Sequence, residues 1–175
     1  MQQSDFGQKA LRVNIMDSQH LHEILIRYNR IFKDTDKIYH NFAKSCGLSD
    51  CAFWILYLLR ETDTQYTQAD ICNMLYMPRQ TVNSALKNLQ NDGYICLTQA
   101  ENNKKSKILF LTDKGKELAK NSADMVLKAE IKVLRQFSES ELEVFLSLSE
   151  KYALLLRKEY EEISDSNLKT GKEQK

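Results

Sequence analysis

Between residues 17 and 45 apolar side chains return every three or four positions: Leu21, Ile24 and Leu25, Tyr28, Ile31 and Phe32, Ile38 and Tyr39, then Phe42, with Thr35 in the same stripe. This period predicts one amphipathic helix of about eight turns. A small domain cannot cover so long a stripe alone, so it is expected to pack on other long helices, within the chain or from a second subunit. Gly47, in the stretch CGLSD, ends the helix. The next run, CAFWILYLLRE from Cys51 to Glu61, is apolar nearly all round and predicts a central core helix with Ser49 or Asp50 as its cap. Thr67 then opens TQADICNML. Its Thr-x-x-Asp spacing resembles a capping box, and Ala69, Ile71 or Cys72, and Leu75 are expected to face inward.

A second short helix follows at once. Pro78 is placed at its first helical position, where a missing N–H costs nothing, and Gly93 just past its end. Val82, Ala85, Leu86 and Leu89 form its apolar stripe. The opposite face carries Arg79, Gln80, Thr81, Asn83, Ser84, Lys87 and Asn88, with no acid before Asp92. A merely solvated helix face usually mixes Glu with Lys, so this acid-poor, hydrogen-bonding face needs a reason.

The period then changes to two. YICLTQ and KILFLT read as strands, with Ile95 and Leu97 alternating on one and Ile108 and Phe110 on the other. AENNKKS joins them as a polar loop, giving a hairpin with a basic tip. Thr112 caps a second long helix through Phe137, with Leu118, Ser122, Met125, Val126, Ala129, Val133 and Phe137 as its stripe. Ser138 or Ser140 caps a last helix running to about residue 163, with Leu142, Phe145, Leu148, Tyr152, Leu155 and Leu156 apolar. The expected fold is mainly α with a small β-hairpin. Residues 1–16 are expected to form a flexible arm, 17–163 a single domain and 164–175 a frayed tail. The segment 49–112 is the winged region, flanked by long helices over 17–46 and 113–163.

Two short helices, a tight turn and a basic hairpin describe a winged helix-turn-helix, whose second helix enters the major groove of double-stranded DNA. Arg, Asn, Gln and Thr are the residue types that read base edges there. The candidate DNA-binding residues are therefore Arg79, Gln80, Thr81, Asn83, Ser84 and Lys87. Thr67 and Gln68 join them from the preceding helix, and Lys104, Lys105 and Lys107 from the hairpin. Met77 has no side-chain oxygen to cap the second helix, which leaves part of its N-terminal amide set for a phosphate.

Charge agrees with this placement. Residues 76–107 hold five cations against two acids, whereas 136–165 hold eight acids against three cations, although the whole chain is only +1. A basic middle suits an anionic partner, and the acidic end reads as a solvated face. The apolar share is 42% and the longest apolar run, residues 51–59, is too short to span a bilayer. No secretory signal pattern opens the sequence, so a cytoplasmic protein without a membrane partner is expected.

The sequence resembles the MarR family of bacterial transcription regulators over about residues 20–160. The resemblance rests on the element order and on three stretches: YTQADICNML, TVNSALKNLQNDGYI and KILFLTDKGKEL, the last with its Leu-Thr-x-x-Gly turn at Leu111, Thr112 and Gly115. It implies a homodimer joined by its first and last helices, two winged units reading a pseudo-palindrome, and release of DNA by a small-molecule effector or an oxidant. Tyr28, Tyr39, Trp54 and Tyr57 are candidate walls of an effector pocket, though core packing explains such aromatics equally well. The family's wing often carries Asp-x-Arg before its second strand. Asn103 and Lys105 stand there in this chain, so the usual wing-positioning ion pair is missing.

Other chemistry finds little support. Cys46 and Cys51 could form a redox switch, but burial as small hydrophobes is the commoner fate of such residues, and Cys72 and Cys96 are expected in the winged core. His20, His22 and His40 have acids nearby, but a His-x-His pair on a helix turns its two rings to different sides, which is poor for chelating a metal. No phosphate loop, nucleophile elbow or paired metal motif is present, so neither catalysis nor a cofactor is expected. A helical protein-binding adaptor without DNA contact is the alternative outside this class.

Overall fold

The computed structural model describes residues 17–61, 64–100 and 103–170, without the side chains of 61, 100, 103–106 and 166–170. The elements are α1 (Ser18–Ser45), α2 (Asp50–Glu61), α3 (Gln68–Leu75), α4 (Arg79–Asn91), β1 (Ile95–Ala100), β2 (Asn103–Leu111), α5 (Asp113–Lys120), α6 (Ala123–Leu134) and α7 (Glu139–Thr170). They fall into two compact units that divide between Ala123 and Asp124. The expected flexible arm, residues 1–16, lies outside the described residues.

In the first unit α2 is the hub. Phe53, Ile55 and Leu56 are fully buried, as an all-round apolar helix requires. Its core continues through Ile71 of α3, Val82, Ala85, Leu86 and Leu89 of α4, Ile95 of β1 and Leu109 of β2. Asp17 caps α1, and Gly47 at φ +73 turns the chain into α2, where the Ala52 amide donates to Ser49 Oγ. Aromatic rings join α1 to α2: Phe42 meets Phe53 with centroids 6.1 Å apart and Tyr39 meets Trp54 at 5.1 Å. His40 Nδ1 lies 2.9 Å from Asp50 Oδ1 at the same junction. Ala69, expected to face inward, is exposed, and Ile71 fills the core from α3 instead.

The hairpin differs from expectation in register. Ile95 pairs with Leu111 and Leu97 with Leu109, so the buried side of β2 holds Leu109 and not Ile108 or Phe110. A one-residue slip exchanges the two faces of a strand. All of residues 108–111 are apolar, and only the pairing with β1 decides which point inward. The strand also begins earlier than expected, at Asn103, so Lys104 and Lys105 lie on β2 itself and not in a loop. The Leu109 amide donates to Tyr66 O at 2.9 Å, which ties β2 to the lead-in of α3.

The helix expected over residues 113–137 is two helices. After Lys120 the hydrogen bonds tighten, with Ser122 N donating to Ala119 O. Asn121 Nδ2 donates to Glu117 O at 3.0 Å and Ser122 Oγ to Leu118 O at 2.7 Å. These side chains engage carbonyls at the end of α5, and such back-bonding bends or breaks a helix. α5 packs on α2 and β2 in the winged unit.

The second unit consists of α6 and α7. Ser138 caps α7 in a capping box: Glu141 N donates to Ser138 Oγ and Ser138 N to a Glu141 carboxylate oxygen at 2.8 Å. The Ser138 amide, and with it the Ser138 hydroxyl, which donates to the same carboxylate at 2.7 Å, hold the Glu141 carboxyl below its ordinary range. The helix continues to Thr170, beyond the expected end near 163. Among the described residues no single helix is long and apolar enough to cross a membrane.

Candidate nucleic-acid interface

α3 and α4 owe their positions to local chemistry. Thr67 N donates to Asp70 Oδ2 at 2.8 Å and Asp70 N to Thr67 Oγ1 at 3.2 Å, a complete capping box. Thr67 Oγ1 also donates to the carboxylate at 2.7 Å. The Thr67 hydroxyl first, and then the Thr67 amide, hold the Asp70 carboxyl below the usual carboxylate range. The Thr67 hydroxyl is thus occupied in the cap, and the exposed Gln68 follows it at the start of α3.

The turn between the helices passes through Tyr76, a left-handed residue at φ 50 whose side chain is 94% exposed. Pro78 takes the N-cap position of α4, one residue earlier than the expected first helical position, with ψ 132 and no side-chain cap. Thr81 N and Val82 N donate back to Pro78 O, so the first amides of α4 are bonded neither by a cap nor within the helix. The far end closes as a Schellman motif: Tyr94 N donates to Leu89 O and Gly93 N to Gln90 O, with Gly93 at φ +74.

Between these ends α4 is sharply two-sided. Val82, Ala85, Leu86 and Leu89 are buried, while Arg79, Gln80, Thr81, Asn83, Ser84 and Lys87 are exposed together. Arg79, Asn83 and Lys87 line up at four-residue spacing. Gln68 Nε2 donates to Asn83 Oδ1, joining α3 to the exposed face of α4. That contact spans fifteen positions and no sequence pattern announces it. Of the hairpin cations, Lys107 is exposed on β2. Lys104 and Lys105 lie on the same strand, and their side chains are outside the described residues.

The base of the hairpin is pinned to the end of α4. Thr112 Oγ1 donates to Gly93 O at 2.6 Å, Thr112 N to Tyr94 O at 3.0 Å, and Lys114 Nζ to Asp92 O at 2.7 Å. The Lys114 ammonium also sits 4.5 Å from the centre of the Tyr94 ring. Gly115 lies so close that an added Cβ would fall 1.8 Å from Tyr94 O.

The four aromatic candidates separate. Trp54 stands 5.1 Å from Tyr39 and 5.2 Å from Tyr57 between ring centres. Tyr39 and Trp54 line a cleft of about 520 Å³ between α1 and α2, with Lys33, Lys37, His40 and Asp50. Tyr28 does not join them and instead stacks on Phe32 of α1. The polar wall was missed from sequence, although Lys33, Lys37 and His40 fall at helical spacing.

The cysteines are free thiols. Cys51 is buried, and burial together with neighbouring Cys72 pushes its thiol up, away from the reactive thiolate. Cys96, expected in the core, is exposed. Among the described residues no group of three His, Cys, Asp or Glu side chains is placed to hold a metal ion.

The sequence model of the MarR family matches residues 47–106, from the turn after α1 into the first part of β2. Among solved structures, a MarR family regulator from Listeria monocytogenes in complex with a 26mer DNA is 28% identical, with TM-score 0.59 over 73% of this chain and 84% of that one. The MarR family regulator NMB1585 from Neisseria meningitidis is 25% identical, with TM-score 0.65 over 84% and 99%. MepR from S. aureus in its DNA-binding conformation is 21% identical with TM-score 0.65 over 76% and 98%, a likeness of fold. No curated protein sequence matches the chain.

Proposed function

We propose that this chain, which has the winged-helix fold of the MarR family of transcription regulators, binds duplex DNA as a homodimer and represses transcription from a pseudo-palindromic site. The observation that carries the reading is the division of α4. Four apolar residues hold it to the core, and six side chains able to read bases or phosphates stand exposed with no acid among them. The uncapped first turn adds free amides for a phosphate oxygen. Lys107 supplies a cation on the wing strand, and Lys104 and Lys105 belong to the same strand.

Exposed apolar surface supports the dimer. On α1, Ile31, Phe32 and Ile38 are more than half exposed, and on α7 so are Phe145 and Leu148. Surface of this kind marks an association face. A second copy covers it and sets the two α4 helices about one DNA turn apart, roughly 34 Å. The protein acts in the cytoplasm and answers to a small-molecule effector held in the cleft beside Tyr39 and Trp54. Trp54 is the sole tryptophan of the chain, so its fluorescence reports effector binding directly.

A gel shift against the DNA upstream of the protein's own gene tests the reading. A discrete complex that competes poorly with unrelated duplex supports it. Absence of binding to any intergenic fragment, together with a stable protein partner in pull-down, favours the adaptor alternative.

A further inference from the structure

Three successive carbonyls leave α4, those of Asp92, Gly93 and Tyr94, and residues just past β2 engage each of them. Thr112 donates to Gly93 O through its hydroxyl at 2.6 Å and to Tyr94 O through its amide at 3.0 Å. Lys114, on α5, donates from Nζ to Asp92 O at 2.7 Å. An ammonium can only donate and a carbonyl can only accept, so this contact has a single sense. α4 has no basic residue in its own last turn, and Lys114 brings a cation to its negative end from another element. The same ammonium lies 4.5 Å from the centre of the ring of Tyr94, the residue that leads into β1. Both strands of the wing leave this junction, since β1 starts at Ile95 and β2 ends at Leu111.

We propose that Lys114 is a positioning residue that sets the angle of the wing against α4, so that the lysines of β2 and the exposed face of α4 engage one duplex together. The inference rests on the DNA-binding function proposed above. Lys107 precedes the end of β2 by four residues, about 13 Å of strand. A tilt of roughly 10° at the junction moves a group at that distance by about 2 Å, which breaks a charge-assisted hydrogen bond to a phosphate oxygen. Thr112 joins the two strand ends to each other, and Lys114 adds the tie to the cap of α4. Its contribution to DNA binding therefore passes through the wing lysines and disappears when they are removed.

The experiment is a double-mutant cycle, read by anisotropy titration against a duplex from the protein's own upstream region across salt concentrations. It compares the wild type, Lys114→Met, a wing variant carrying Lys104→Ala, Lys105→Ala and Lys107→Ala together, and the two combined, with a thermal melt of each. Met keeps the apolar stem of Lys and cannot donate. Lys114 is exposed, so all four proteins are expected to be folded at the temperature of titration. The wing variant should bind at least about tenfold more weakly and lower the salt slope by about two to three. Lys114→Met should weaken binding by about fivefold or more in the wild-type background and by less than about twofold in the wing variant, the non-additivity of residues that act through one contact. The inference is overturned if Lys114→Met weakens binding equally in both backgrounds, because Lys114 then meets a phosphate of its own or acts on the fold at large. It is equally overturned if Lys114→Met binds as the wild type does, or if the wing variant does. A wild-type protein that binds no duplex would remove the DNA-binding function itself, a result distinct from the other three.

Discussion

Asn83 and Val82 are neighbours in the chain with opposite fates: one is exposed on α4 and the other is fully buried. Function at the residue scale depends on that separation, because exposed side chains of α4 can be exchanged without disturbing its core. Arg79→Ala, near the start of the helix, is expected to cost about 1–3 kcal/mol of binding and to relax one base position. Competition titrations against single-base operator variants measure both effects. Gly115 is the opposite case. A Cβ there would meet the Tyr94 carbonyl at 1.8 Å, and that backbone atom cannot swing aside. Gly115→Ala should destabilise the fold by at least about 1–3 kcal/mol, read from urea denaturation. Unchanged stability would contradict the close approach. Asp70 ties pH to stability. Its carboxyl is held below the usual range by Thr67, so the folded state binds fewer protons than the unfolded one in the acid range. The contribution is complete above the ordinary carboxylate pKa, about 3.9, and fades as pH falls through the lower folded value. Asp70→Asn should lower stability near neutrality and flatten the acid limb of stability against pH.

At the scale of elements, the parts written in local chemistry were legible in the sequence. Thr67 and Asp70 announce the start of α3, and Gly93 the end of α4, because caps and left-handed residues act over a few positions. The exposed face of α4 was legible for the same reason. The register of β2 was not, since Ile108 to Leu111 are all apolar and their choice of face depends on a strand some dozen residues away. The break between α5 and α6 was not legible either. Asn121 and Ser122 are tolerated inside helices, and only their back-bonding to Glu117 and Leu118 ends this one. The Gln68–Asn83 contact required the packing of α3 on α4. The wing provides an element-scale test. Lys105→Ala should weaken binding alike on all sequences and reduce the salt slope by about 1. A changed base preference instead would assign Lys105 to base reading and not to the phosphate backbone.

The whole molecule combines an acid-poor exposed face on α4 with exposed apolar side chains on its long helices. A dimer explains that surface, and Phe145→Glu, a charge placed on an exposed apolar residue of α7, should shift the protein toward monomer in sedimentation and weaken operator binding with it. The central claim is that α4 and the wing bind DNA through phosphate and base contacts. A fluorescence anisotropy titration against a duplex from the protein's own upstream region, repeated across salt concentrations, tests it most directly. The account predicts log K falling linearly with log salt, losing about 10³-fold or more between 50 and 200 mM if six or more phosphates are contacted. Salt-insensitive binding, or no measurable affinity at low salt, would contradict it.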